Sequence, residues 1–173
     1  MKLRDIPTYL AKTIYEVPVD FFLSRGIKIL LCDLDNTLLP YGQSEPSQEA
    51  IALKERLDQA GISLVVCSNA LGERVKRFSS LLGIEAFGMM RKPLKGPLLR
   101  LIKGQGWDKD ALLFVGDQIQ TDIKAGNGAG LKTMLTEPFP CKEPIWTRFH
   151  RLFEKNKRKK ILEKHLTPYW KEA

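Results

Sequence analysis

Two aspartates one residue apart, Asp33 and Asp35 in the run DLDNT, stand directly after the apolar stretch Ile27 to Cys32. A stretch of small, β-branched and long aliphatic residues reads as a buried strand, and carboxylates at its carboxyl end open into a crevice instead of the core. Holding both charges out of water without a cation costs several kcal/mol or more, so a divalent metal is their natural companion. A turn rich in Asp and Asn that merely ends a strand is the competing interpretation. Three further polar pairs argue against it, because each follows its own apolar run. Ser68 and Asn69 come after Ile62 to Cys67, Arg91 and Lys92 after a short run near Glu85 to Gly88, and Asp117 and Asp122 after Ala111 to Val115.

Between those runs lie the elements that must position the pairs. Ser47 to Ala60 carries apolar residues at 50, 53, 57 and 60, a helical period that Gly61 stops. Glu73 to Leu82 turns Val75, Phe78, Leu81 and Leu82 inward, with Gly83 as its stop. Helices over Leu94 to Ile102 and Thr121 to Ala125 and a last strand over Leu131 to Leu135 complete the series. Such alternation predicts an α/β fold, a Rossmann-like parallel sheet with flanking helices. In open sheets of this kind ligands bind at the carboxyl edge, where all four pairs fall. The glycine-rich run Gly126 to Thr133 leads from helix into strand and lacks phosphate-loop spacing, so it reads as a turn.

The expected organisation is an N-terminal helical segment over 1–26, a core over 27–140 and a basic amphipathic C-terminal helix over 141–173. Leu3 to Arg25, with Pro7, Pro18 and aromatic residues at 9, 15, 21 and 22, reads as two short helices against the sheet edge. No apolar run is long enough to cross a bilayer and Met1 to Leu10 does not resemble a leader, so a cytoplasmic protein is expected. The 3 cysteines form no CxxC pair, and Leu38, Glu73 and Thr147 stand where a cysteine phosphatase needs arginine. Cys32 and Cys67 read as core; His150 and His165 have no metal-ligand spacing.

Charge is uneven. Ten Lys or Arg against four Glu lie beyond residue 141, which is +6 of the net +8. Ile145, Trp146, Phe149, Leu152 and Phe153 form a stripe at helical spacing, followed by the basic run Lys155 to Lys160. The segment 145–166 thus suits an anionic membrane surface, or a helix docked on the domain, with nucleic acid a third partner.

Taken together, DxDxT, a strand-end serine, a lysine before proline, and GDQIQTD at 116 to 122 resemble the haloacid dehalogenase superfamily over Ile27 to Leu135. The resemblance implies that Asp33 is a nucleophile forming an aspartyl phosphate and that Asp35 protonates the leaving alkoxide and then activates water. It implies that Asn36 and Thr37, through backbone N–H groups and hydroxyl, help Ser68, Asn69 and Lys92 hold phosphate oxygens. Mg2+ would be held by Asp33, the carbonyl of Asp35 and Asp117, with Asp122 behind them or acting through water. Only 32 residues separate Asp35 from Ser68 and 23 separate Ser68 from Lys92, each enough for one crossover helix and its strand, so no cap domain is expected. That matches the capless subclass III.

Within it, KTIYEV at 12 to 17, RGIK at 25 to 28, RVKRF at 74 to 78 and RKP at 91 to 93 resemble the YqeG-type family, similar to mitochondrial phosphatases acting on phosphatidylglycerophosphate. An anionic phospholipid is accordingly the leading phosphomonoester substrate. The alternatives are small metabolites, nucleic-acid ends or phosphoproteins as substrates, or a non-enzymatic module on RNA or ribosomes.

Overall fold

Residues along each central strand point by turns to two apolar layers, and both layers have to be covered. Leu30, Cys32, Leu64, Val66, Leu113 and Val115 join one core, while Leu31, Val65, Cys67, Leu112 and Phe114 join the other. The computed structural model describes residues 2–70, 72–140 and 154–173 in full, and over 145–153 the backbone of a helix. The apolar stripe expected at Ile145, Trp146, Phe149, Leu152 and Phe153 lies outside the described side chains.

In chain order the elements are β1 (Tyr9–Leu10), α1 (Val19–Leu23), β2 (Ile29–Cys32), α2 (Gln48–Gln59), β3 (Ser63–Cys67) and α3 (Glu73–Leu82). They continue with β4 (Glu85–Phe87), α4 (Lys95–Gln105), β5 (Leu112–Gly116), α5 (Lys124–Ala129), β6 (Lys132–Leu135) and α6 (Ile145–Glu163). The sheet is parallel throughout, in the order β1-β6-β5-β2-β3-β4. Ala50, Leu53 and Leu57 of α2 and Val75 and Phe78 of α3 cover one face; Leu98 and Ile102 of α4 and Ala129 of α5 cover the other. Helix ends follow local chemistry: the Ser47 hydroxyl accepts from the Ala50 N–H at 3.2 Å to start α2, and Gly83, at φ 62°, ends α3 in a left-handed turn.

The N-terminal segment differs from the two helices expected. It holds short 3-10 turns at Leu3–Asp5 and Ile14–Glu16 and the five-residue α1, and it also supplies β1, which pairs with β6 through Tyr9↔Met134 and Leu10↔Leu135. Two residues are too few to show strand alternation in a sequence. On the outer side of β1 the Leu10 N–H donates to the Pro168 carbonyl at 3.0 Å. The tail is fixed further by the buried Ile161, by the Thr167 hydroxyl on the Pro7 carbonyl at 2.9 Å, and by the Trp170 ring edge-on to Phe21.

Candidate active site

β2 lies between β3 and β5 in matching register, Cys32 opposite both Val66 and Val115. The residues that follow these strands therefore emerge side by side at one edge. Asp33, anchored by its N–H on the Val115 carbonyl at 2.9 Å, stands between the β3 end, with Ser68, and the β5 end, with Asp117. Lys92 arrives from the β4–α4 loop, where the Lys92–Pro93 peptide is cis and Met89 and Arg91 take left-handed φ values of 55° and 49°.

Lys92 organises the centre. Its buried ammonium donates to Asp33 Oδ1 at 2.6 Å, Asp122 Oδ1 at 2.7 Å and the Cys67 carbonyl at 3.0 Å, which uses all of its protons. Burial alone would lower its pKa, but Asp122 and Asp33 outweigh that and hold it above the ordinary lysine value. Burial pushes the Asp33 carboxyl up, Lys92 pulls it down and Asp122 and Asp117 raise it again, which leaves it at about 8. Asp122 takes the Gln118 N–H on its second oxygen at 3.0 Å, closing the π-helical turn Ile119–Ile123 that precedes α5.

Ligand oxygens of Asp33, Asp117 and Asp122 all lie within 4.8 Å of one another. With all three carboxyl groups ionised and Lys92 charged, these four buried side chains carry a net charge of two negative units, and carboxylate oxygens suit a hard cation. The donor set thus fits a divalent metal. Thr37 directs its hydroxyl to Asp117 Oδ1 at 3.3 Å, and Arg158 of α6 donates to the main-chain carbonyls of Asp117 and Thr136, the latter at 3.0 Å.

The remaining expected site residues also gather here, in roles that sequence did not specify. Asn69 clasps the main chain of Lys92, accepting its N–H at 2.7 Å and donating to its carbonyl at 3.2 Å, so its carboxamide positions the lysine. The Asn36 N–H bonds the Leu39 carbonyl at 2.7 Å and the Thr37 N–H the Leu34 carbonyl at 3.3 Å. Both bonds lie within the loop that carries Asp33 and Asp35 and shape it. Ser68 accepts the Ala70 N–H at 3.1 Å, which leaves its hydroxyl hydrogen available. Asp35 turns away from Lys92 to an ion pair with Arg74 at 2.7 Å. Arg74, Tyr41, Gln118 and Thr121 were not singled out for chemistry. All but Arg74 line the cleft with Asp33, Asp35, Asn36, Ser68, Asn69, Lys92 and Asp122, and the sequence signal for Arg74 was its place at the start of the helix after Ser68.

Cys32 and Cys67 are core residues whose thiols burial raises, Cys67 to about 12, so neither is a thiolate at neutral pH. Gly126, in the run read as a turn, lies where a Cβ would come within 2.5 Å of Thr133 Cγ2. Close packing of α5 on the sheet requires that glycine.

A family model described as HAD-hydrolase-like matches residues 89–137. Over 155 residues the chain is 31% identical to the probable phosphatase YqeG of Bacillus subtilis (strain 168), covering 90% of each. The chain belongs to the haloacid dehalogenase (HAD) superfamily. It is a capless phosphatase, a single parallel α/β sheet with its helices and, among the described residues, no inserted cap between the strand ends. The phosphatase is also 30% identical over 176 residues to phosphatidylglycerophosphate phosphatase 1, chloroplastic/mitochondrial, of Arabidopsis thaliana, with 94% of this chain matched to 50% of that protein. It thus spans about half the length of that relative. Among solved structures, a HAD subfamily III A hydrolase of Legionella pneumophila superposes with a TM-score of 0.52 at 24% identity, over 70% of this chain and 72% of that one. A 3-deoxy-D-manno-octulosonate 8-phosphate phosphatase of Moraxella catarrhalis, solved with magnesium and phosphate, gives 0.51 at 22% over 70% and 75% and shares the fold.

Proposed function

We propose that this phosphatase hydrolyses phosphomonoesters through an aspartyl phosphate on Asp33, with Mg2+ as its metal and phosphatidylglycerophosphate as the leading substrate. The observation that carries the reading is Lys92 bonded at once to Asp33 and Asp122 beside Asp117, a constellation that holds one carboxylate oxygen rigidly and leaves the other for attack. Asp33, Asp117 and the Asp35 carbonyl would hold the metal, with Asp122 behind them; when bound it offsets charge developing on the phosphoryl oxygens.

Asp33 attacks phosphorus as the bond to the leaving oxygen breaks, and Asp35 gives that oxygen its proton. Water then attacks the aspartyl phosphate, its proton passes to Asp35, and the Asp33 carboxylate is released. Lys92 fixes the nucleophile and brings its positive charge near the phosphate, which the Ser68 hydroxyl and the main-chain N–H of Asn69 would hold. The cleft encloses only about 160 Å3, room for the phosphoryl group and little more, so the rest of a substrate lies outside. That favours a bulky or surface-bound ester. The Arabidopsis relative's name supports a phospholipid, and the exposed Lys155, Lys159, Lys160 and Lys164 beside exposed Leu162 and Leu166 suit a peripheral contact with an anionic membrane. Among the described residues no helix is long and apolar enough to cross one.

The test is a panel of phosphomonoesters, with phosphatidylglycerophosphate in mixed micelles, 3-deoxy-D-manno-octulosonate 8-phosphate and aryl phosphates, assayed with and without Mg2+. Asp33→Asn should abolish turnover in a folded protein. Retained hydrolysis in that variant would refute the nucleophile, and a metabolite ester outpacing the lipid would refute the substrate.

A further inference from the structure

Asp35 lies beside the nucleophile in sequence, yet it takes no part in the lysine-centred cluster. Its Oδ2 accepts from Arg74 Nη2 at 2.7 Å. Its Oδ1 is buried and has no hydrogen-bond partner among the described residues. A buried carboxylate oxygen without a partner is uncommon and calls for a reason. The arrangement anchors one end of the carboxyl group and leaves the other without a partner.

Arg74 is itself held firmly. It is the second residue of α3, the helix that starts beyond the Ser68 loop, so its side chain reaches back over the carboxyl edge of the sheet. Its other terminal nitrogen donates to the Gln43 carbonyl at 3.0 Å, and its guanidinium lies 5.7 Å from the centre of the Tyr41 ring. Both partners belong to the stretch that follows the catalytic loop. A planar fork clamped in this way fixes direction as well as charge, which a lysine cannot do.

We infer that Arg74 is a positioning residue for Asp35: by holding Oδ2 it fixes the orientation in which the carboxyl group meets the oxygen of the departing alcohol. The inference rests on Asp35 being the acid of the first step. As the bond from phosphorus to the leaving oxygen breaks, its electron pair goes to that oxygen and takes the proton of the Asp35 carboxyl group, which is left as the carboxylate that Arg74 pairs with. Without Arg74 the carboxyl group rotates, and the transfer loses its geometry while attack by Asp33 continues.

Leaving groups separate these steps. A 4-nitrophenolate departs with little need of a proton, whereas the less acidic phenol of phenyl phosphate needs one more. The quantity to read is kcat/KM, which reports the first chemical step. General acid catalysis contributes about 10² to 10⁴ in rate. On that scale Arg74→Ala should lose about 30-fold or more on phenyl phosphate and about threefold on 4-nitrophenyl phosphate, with Arg74→Lys between Ala and wild type. Adding Arg74→Ala to Asp35→Asn should cost less than about twofold on phenyl phosphate, since the group being positioned is already gone. Equal losses on the two esters, or additive losses in the double variant, would overturn the assignment. Asp35→Asn within twofold of wild type on phenyl phosphate would remove the acid itself, and Arg74's role with it.

Discussion

A single methyl group added at Gly116 should disable the site without touching a reacting atom. Gly116 ends β5, and a Cβ built there would lie 2.4 Å from both Cβ and Cγ of Asp122 and 2.6 Å from its Oδ2. Ordinary contact begins at 3.4 Å, so in Gly116→Ala the Asp122 side chain must retreat by about 1 Å. It has nowhere to go without loss. Its two oxygens bond Lys92 at 2.7 Å and the Gln118 N–H at 3.0 Å, and the same displacement takes both beyond hydrogen-bond range. Breaking a buried, bonded ion pair costs about 3–5 kcal/mol. At about 2–4 °C per kcal/mol for a domain of this size, the melting temperature should fall by about 10 °C. Metal affinity should weaken about 10- to 100-fold, because Asp122 orients the lysine and the metal-facing carboxylates. Gly104→Ala, in α4 with nothing within 4 Å of its built Cβ, is the control and should be neutral or slightly stabilising. Thermal melts and Mg2+ titration of aryl phosphatase activity provide the assay. A melting temperature within 2 °C of wild type with unchanged metal dependence would refute the packing reasoning.

Lys92→Met keeps the unbranched stem out to Cε and removes the ammonium, so the carboxylates lose their shared partner; kcat should fall at least about 100-fold, and activity within threefold at saturating Mg2+ would show the lysine to be dispensable. The raised Asp33 carboxyl gives a proton count. Between its ordinary value near 3.8 and about 8 the folded, metal-free protein binds a proton that the unfolded chain does not, so its stability falls as pH rises through that window. Metal binding at pH 7 should then release close to one proton and at pH 9.5 almost none, as read by calorimetry in buffers of different ionisation heat; equal release at both would refute the assignment. Truncation after Pro144 removes the fully buried Ile161 and the Arg158 bonds to the Asp117 and Thr136 carbonyls. It should lower the melting temperature and soluble aryl phosphatase activity together, and a truncated protein unchanged in both would mean that the tail does not support the site.

Apolar runs made β2, β3 and β5 readable because a strand buried on both faces needs an uninterrupted apolar stretch, and Ser47 and Gly83 marked helix ends because capping chemistry is local. β1 was hidden by its length: two residues acquire strand geometry only from partners more than a hundred positions away. The π-helical turn at Ile119–Ile123 was equally hidden, since one extra residue per turn leaves no periodic trace over five positions. At the site, residue types and their strand-end places were legible, whereas the allocation of donors was not. Asn69 could serve a phosphate or a neighbouring main chain with the same carboxamide, and only the fold of the β4–α4 loop brings Lys92 against it. Arg74 looked like one basic residue among several on a helix; its place opposite Asp35 depends on how α3 leaves β3.

The lacing of the N-terminal segment to the tail bears on the order in which the molecule can assemble. The Thr8 N–H reaches the Thr133 hydroxyl across 125 positions, the Thr167 hydroxyl reaches Pro7 across 160, and Trp170 Nε1 reaches Glu16 across 154. On a ribosome the β2–β3 pair and α2 can form while most of these partners are unmade, and the first two dozen residues must wait for nearly the whole chain. During that wait Phe21 lacks the Trp170 ring that later meets it edge-on. The sheet edge is the last part to close, and a chain stalled before residue 167 would leave the outer side of β1 without its Pro168 partner, open to chaperones or to other chains.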